Sequence, residues 1–136
     1  MVDAYAHGHH ASVLKSHTWR TAENSAAYLL PHLAPGSRVL DVGSGPGTIT
    51  ADFAEIVAPG EVVGIDAAAD VNAKASADAA PRLLENLRFE TGDAYDLQYP
   101  EASFDVVHAH QVLQHVGDPV AMLREMRRVT TPGGVV

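Results

Sequence analysis

Short, nearly continuous apolar runs alternate along this chain with longer stretches whose apolar residues recur every three to four positions. Val39-Leu40-Asp41-Val42 and Val62-Val63-Gly64-Ile65-Asp66 read as strands covered on both faces. Residues 87–91 alternate and predict a third strand, residues 104–109 predict a fourth, and Val135-Val136 opens a fifth. Between the first two, Ile49, Phe53, Ile56 and Val57 share one face of a helix that Ala58-Pro59-Gly60 ends. An alanine-rich helix follows over 70–80, with Pro81 opening a last short turn. Asp118-Pro119 is an N-cap and a first-turn proline, starting a helix to about Val129 that buries Met122, Leu123, Met126 and Val129 and leaves Arg124, Arg127 and Arg128 mostly in solvent. Ahead of all these, Thr21 caps a helix to about Leu33, with Ala26, Leu30 and Leu33 on one face.

Strands and helices alternating at this spacing specify right-handed βαβ units, hence an α/β fold with a parallel, Rossmann-like sheet. Ligands of such sheets bind beyond the C-terminal strand ends, where the strand order reverses. That edge collects Gly43 to Gly47, Asp66, Asp93 and His110. We expect an N-terminal arm over 1–20 and one folded domain over 21–136.

Composition narrows the partners. A chain of 136 residues with 46% hydrophobic and 19% charged residues is of globular type and long enough for one core. Its net charge of −8 argues against capture of nucleic acid or an anionic membrane, which points to a small molecule or a protein. Zero cysteines exclude disulfides and thiolate metal sites, and no apolar run approaches the ~20 residues that cross a bilayer. A cytoplasmic location is the expectation. His7, His9 and His10 lie close together, but lack the pairing of a metal site and read as part of the arm, so no metal is expected.

The candidate chemistry starts at Asp41-Val42-Gly43-Ser44-Gly45-Pro46-Gly47. Glycines between a strand and a helix let the backbone turn tightly and approach a ligand, and the helix start offers unpaired N–H groups. Tight turns of this kind also arise for packing alone. A dinucleotide fingerprint would place its third glycine at position 48, and position 48 is Thr. Asp66, nineteen residues after Gly47, stands where a carboxylate can accept both hydroxyls of a ribose; a helix cap or turn is the alternative.

Together, five segments resemble the class I S-adenosylmethionine-dependent methyltransferases that act on small molecules, of the ubiquinone/menaquinone-biosynthesis type. They are V-L-D-V-G-S-G-P-G at 39–47, V-V-G-I-D at 62–66, G-D-A at 92–94, F-D-V-V at 104–107, and L-Q-H-V-G-D-P at 113–119 running into L-R-E-M-R-R-V-T-T-P-G-G at 123–134. The resemblance covers roughly 17–136. It implies S-adenosyl-L-methionine as cofactor and methyl transfer to a small-molecule acceptor. It further implies that Asp41 holds the glycine loop in shape while Gly43, Ser44, Gly45 and Gly47 let the backbone reach the methionine part. Asp66, with Ala67 beside it, would bind the ribose. Asp93 would accept from the adenine amino group, with Gly92 before it and the Ala94 amide on a ring nitrogen. His110 would offer its carbonyl to the amino-acid end, with Gln111 facing the reaction centre.

An acceptor that must lose a proton needs a base, for which His115 and His108 are the candidates; either His could instead pack or touch the cofactor. Acceptor contacts are expected in the arm around His9 to Trp19, and Trp19 itself is expected to pack the arm onto the domain. The resemblance also implies two further strands beyond the fifth. The fifth strand is then left with an uncovered apolar edge, from which we expect a homo-oligomer. A cofactor-binding or partner-binding module without turnover is the second reading, and another nucleotide-binding Rossmann-type protein the third.

Overall fold

The computed structural model describes residues 19–136. Its elements are α1 (Ala22–Ser25), β1 (Val39–Val42), α2 (Thr48–Val57), β2 (Val62–Asp66), α3 (Ala69–Ala79), β3 (Leu87–Thr91), β4 (Phe104–His108), α4 (Pro119–Val129) and β5 (Thr130–Val135). The strands form one parallel sheet in the order β3-β2-β1-β4-β5. β1 runs between β2 and β4, so the order reverses beside it, and a crevice opens at the C-terminal ends of β1 and β4.

The strand alternation sorts the core into two layers. Leu40, Val42, Val63, Ile65 and Val107 pack with Met122, Met126 and Val129 of α4. On the other face Val39, Val62 and Val106 meet Phe53, Ala54 and Val57 of α2, and Ala22, Ala26, Leu29 and Leu33 of the N-terminal segment. A fully buried Phe53 or Val57 contributes ~1.5–3 kcal/mol. Asp41 shares the second face with Val39, and its register partner on β4 is His108. A carboxylate and an imidazole are thereby forced together inside the sheet layer.

The sequence reading needs correction at several places. The helix expected from Thr21 to Leu33 is one turn, α1, followed by a 3₁₀ turn over Leu30–His32. Thr21 does cap it, in a capping box with Asn24. The helix breaks at Ala26, whose φ −136 and ψ 29 are not helical, and Pro31 sits at the start of the 3₁₀ turn, where a missing N–H costs no bond but a longer α-helix could not pass. Leu29 replaces Leu30 as the buried residue. Ile56 and Leu123, expected in the core, are 38% and 40% exposed. The buried stripe of α4 is Met122, Met126 and Val129, and Leu123 falls beside it. Arg128 is drawn in, donating to the carbonyls of Leu97 and Tyr99 and pairing with Glu125.

The fourth strand stops at His108, one residue early. The fifth begins at Thr130, directly after α4, so the expected Thr-Pro-Gly-Gly turn lies inside the strand. Thr130 Oγ1 closes the helix on the Met126 carbonyl, and the register against β4 shifts between Phe104 and Val106. Trp19 is 64% exposed and does not pack the arm onto the domain. His7, His9, His10 and the rest of 1–18 lie outside the described residues. Among the described residues no helix is long and apolar enough to cross a membrane.

Candidate functional site

The loop after β1 is built by the strand beside it. The N–H groups of Gly43 and Ser44 both donate to the Ile65 carbonyl, at 2.7 and 3.1 Å, which folds the loop across the end of β2. Gly43 has φ +70, and a Cβ there would come within 2.7 Å of Val112 Cγ2, so a side chain is excluded on both conformational and steric grounds. Gly45, at φ +54, has no atom within 4 Å of an added Cβ. The space where its side chain would stand is empty, although the residue itself is buried.

Asp66 lies directly under that loop. Its Oδ2 accepts from the Gly45 amide and its Oδ1 from the Ala68 amide, each at 3.1 Å, and the residue is 3% exposed. Ala67, between these contacts, is half-buried. A carboxylate accepts at about four lone-pair sites, so two amide bonds leave capacity for two hydroxyls. Asn72 of α3 braces this end, donating to the carbonyls of Asp66 and Glu90 and to Thr91 Oγ1. Two buried polar atoms here lack a partner, Ser44 Oγ and Asn72 Oδ1. Orphaned polar atoms on both sides of one buried carboxylate are what a polar ligand would satisfy.

The next strand end continues the row. Gly92 N–H donates to the Asp66 carbonyl, Asp93 Oδ1 accepts from the Tyr95 amide at 2.9 Å, and Ala94 is buried behind them. Asp93 is itself exposed, so its second oxygen faces solvent. Thus the sheet brings Gly43, Ser44, Gly45, Gly47, Asp66, Ala67, Gly92, Asp93 and Ala94 to adjacent strand ends.

Asp41 is different, because its carboxylate is spent inside the protein. Its Oδ2 accepts from Thr50 Oγ1 of α2 at 2.6 Å, and its Oδ1 lies 2.9 Å from His108 Nδ1. The Thr50 bond ties the end of β1 to the first turn of α2 and so spans the glycine loop from behind. A carboxylate accepts, so Nδ1 carries the proton; in that neutral tautomer Nε2 accepts from the Tyr28 hydroxyl at 2.9 Å. Tyr28 is 63% exposed, and only its hydroxyl end is drawn in against His108; partial desolvation there, and then the charge on Asp41, raise the phenol above its ordinary range. His108 is 4% exposed and edge-packed by Phe53, with ring centroids 5.2 Å apart. Of the two candidate bases, His108 is therefore packed away from any acceptor.

Beyond β4, His110 stacks against His108 at 6.4 Å between centroids and is half-buried. Gln111 is exposed, has φ +53, and accepts through Oε1 from Arg20 Nη2 at 3.1 Å. His115 ends a one-turn 3₁₀ helix over Leu113–His115 and is half-buried. A cavity of about 40 Å³ lies between Arg20, the glycine loop and His110. Larger cavities of about 490 and 410 Å³ surround Leu83, Leu84 and Glu85 at the β3 edge, but no strand-end carboxylate lines them. The smaller one is the cavity that the glycine loop lines.

The sequence reading missed Arg20, Tyr28, Thr50 and Asn72. Thr50 was legible as a first-turn hydroxyl facing back toward Asp41. Tyr28 and Arg20 reach the site only through contacts distant in sequence, and no motif marks them.

A family model described as a methyltransferase domain matches residues 33–136. The chain is 42% identical to an uncharacterized methyltransferase of Schizosaccharomyces pombe, over 97% of this chain and 50% of that protein. It is also 42% identical to the ubiquinone/menaquinone biosynthesis C-methyltransferase UbiE of Bdellovibrio bacteriovorus, over 74% of this chain and 43% of that protein. Among solved structures, the YcgJ protein of Bacillus subtilis superposes with a TM-score of 0.76 at 31% identity, over 82% of this chain and 48% of that one. The chain spans about half the length of the curated relatives it matches.

Proposed function

We propose, from the premise that this chain belongs to the methyltransferase-domain family, as a class I S-adenosylmethionine-dependent methyltransferase of the ubiquinone/menaquinone-biosynthesis type, that the protein transfers a methyl group to a small organic acceptor. The observation that carries the reading is Asp66. It is a buried carboxylate at the end of β2, held by a glycine-loop amide and flanked by two unpartnered polar atoms. That donor set fits a nucleoside whose ribose hydroxyls seek an acceptor.

S-adenosylmethionine is the cofactor of this family and supplies an electrophilic methyl group on a sulfonium. The protein's share of an in-line displacement is alignment and exclusion of water. We assign Asp66 and Ala67 to the ribose, and Gly92, Asp93 and Ala94 to the adenine. Gly43, Ser44, Gly45, Gly47 and the backbone of His110 go to the amino-acid end, and Asp41 shapes the loop through Thr50. His115 is the remaining candidate to accept a proton from the acceptor, since its 3₁₀ turn follows β4 and its ring is half-buried rather than enclosed. We assign Gln111 to face the reaction centre.

The same reading takes in a cytoplasmic setting and a homo-oligomer. Light scattering at high micromolar concentration would return a clean monomer if the homo-oligomer part is wrong.

Calorimetric titration with S-adenosylmethionine and, separately, NAD tests the reading. Saturable binding of the first alone is expected, and Asp66→Ala should weaken it by roughly 10- to 100-fold. Binding of NAD instead, or an unchanged affinity in the variant, would overturn it. Formation of S-adenosylhomocysteine in a screen of small phenols, quinols and carbon acids then identifies the acceptor class.

A further inference from the structure

A chain of net charge −8 repels its own copy, so a surface on which it self-associates needs charges that answer one another across the contact. The sheet offers two outer strands, β3 and β5. β5 is a poor template, because Pro132 lies within it without an N–H and its register against β4 shifts between Phe104 and Val106. β3 pairs with β2 residue for residue from Leu87 to Thr91, with no register shift and no proline. Its outer side is a regular row of backbone donors and acceptors.

The ladder decides which groups face outward. The Asn86 carbonyl accepts from the Val62 amide, and the Gly92 amide donates to the Asp66 carbonyl, so residues of even number turn their backbone toward β2. Leu87, Phe89 and Thr91 therefore turn theirs outward. A second copy laid antiparallel, its Phe89 opposite this one, satisfies all three: the two Phe89 residues exchange bonds, and Leu87 exchanges them with Thr91. The same register sets Arg88 against Glu90 of the copy in a pair without backbone bonds, where side chains come closest. Twofold symmetry repeats that pair. Arg88 and Glu90 share one face of β3, are 53% and 38% exposed, and bond to each other at 2.7 Å within the chain. Two copies so joined close a ring of four alternating charges.

A second, independent observation is Leu83, the most exposed large apolar side chain among the described residues at 84%, held at φ +54. It lines both cavities at this edge with Leu84, and one of them continues along β3 past Leu87 and Phe89. An apolar groove beside an unpaired strand is a surface that a paired strand and its flank would cover. Beyond the ladder the same register opposes Glu85 to Asp93, like charges that confine the pairing to the five residues of β3. We propose that two copies of this chain join through antiparallel pairing of β3 with β3 centred on Phe89, continuing the sheet from one copy into the next and covering Leu83. The inference rests on the self-association proposed above and names the surface that carries it.

The test is a charge swap read by sedimentation of the purified chain over a concentration series reaching high micromolar. Arg88→Glu and Glu90→Arg each set like charges against one another twice across the twofold, so each alone should weaken dimerisation by roughly 10-fold or more. Mixed in equal amounts, the two single variants should recover it as a heterodimer. The double variant Arg88→Glu/Glu90→Arg should recover it alone. Both side chains reach solvent, so the variants should fold, and circular dichroism checks that they do. Dimerisation undiminished in both single variants would overturn the β3 surface and leave self-association standing. Weakened single variants that recover neither on mixing nor in the double variant would do the same. A wild-type chain that stays monomeric throughout, leaving the edge to some other strand, would overturn both.

Discussion

The ends of β2 and β3 and the end of β4 lie on the same edge of one sheet but are built in opposite ways. At β2 and β3 the polar contacts are the shorter ones in sequence: Asp66 meets Ala68 two residues on and Gly45 across 21, Asn72 meets Asp66 across six and Thr91 across 19, and Asp93 meets Tyr95 across two. At β4 they are long: His108 meets Asp41 across 67 residues and Tyr28 across 80, and Gln111 meets Arg20 across 91. The first region is assembled by its own turns and the loop of the neighbouring strand, the second by the fold as a whole. Local construction suits the parts of a site that recognise the same nucleoside throughout a family. Long-range construction couples the site to the N-terminal segment through Arg20 and Tyr28.

Asp41→Ala should break that division most severely, because Asp41 is the point where both halves meet. Its removal leaves the buried His108 and Thr50 without their partner, and a loss of about 3–5 kcal/mol in urea unfolding is expected. A cost below about 1 kcal/mol would mean that the Asp41–His108 pair does not hold the two halves together.

Tyr28→Phe removes one bond at the far end of the same chain of contacts. We expect about 1 kcal/mol, with a signature in pH. Folding raises the Tyr28 phenol through burial and Asp41, so the neutral form is favoured in the native state. Its contribution is fully present below the unfolded phenol value of about 10 and is lost as pH rises through the higher folded value. Wild type should therefore lose stability above pH ~10 faster than the Phe variant. Parallel alkaline profiles would remove Tyr28 from the relay.

Gln111→Gly sharpens the comparison with the smallest effect. Relief of the left-handed backbone should offset much of the added chain entropy, leaving stability within about 1 kcal/mol of wild type or above it. Affinity for S-adenosylhomocysteine should fall by a few fold as the Arg20–Gln111 bond beside the glycine loop is lost. A destabilised variant with unchanged affinity would show that Gln111 serves the fold and not the site.

The same contrast explains what the sequence made legible. β1, β2, α2, α4 and the parallel sheet follow from apolar rhythm and caps, such as Asp118, which accepts from the Ala121 amide as its position before Pro119 suggests. Gly43, Asp66, Asp93 and Ala94 were legible because each follows or ends a strand that the apolar rhythm marks, although Gly43 is packed against Val112 and Asp66 is held by Gly45, both distant in the chain. The N-terminal helix was overextended because the apolar face at Ala26 and Leu33 suggested continuity that Pro31 forbids. Arg20 and Tyr28 were invisible because their roles depend on which strand becomes the neighbour of β1. Burial of His108 had the same cause, since only the register of β4 against β1 places it beside Asp41.

Amide chemical shifts of the isotope-labelled chain, followed during titration with S-adenosylhomocysteine, test the central claim most directly. The account predicts saturable shifts concentrated at Gly43, Ser44, Gly45, Asp66, Ala67, Gly92, Asp93 and Ala94, joined by His110 and Gln111. Shifts centred instead on Leu83, Leu84, Glu85 and Asn86, around the larger cavities at the β3 edge, would contradict it.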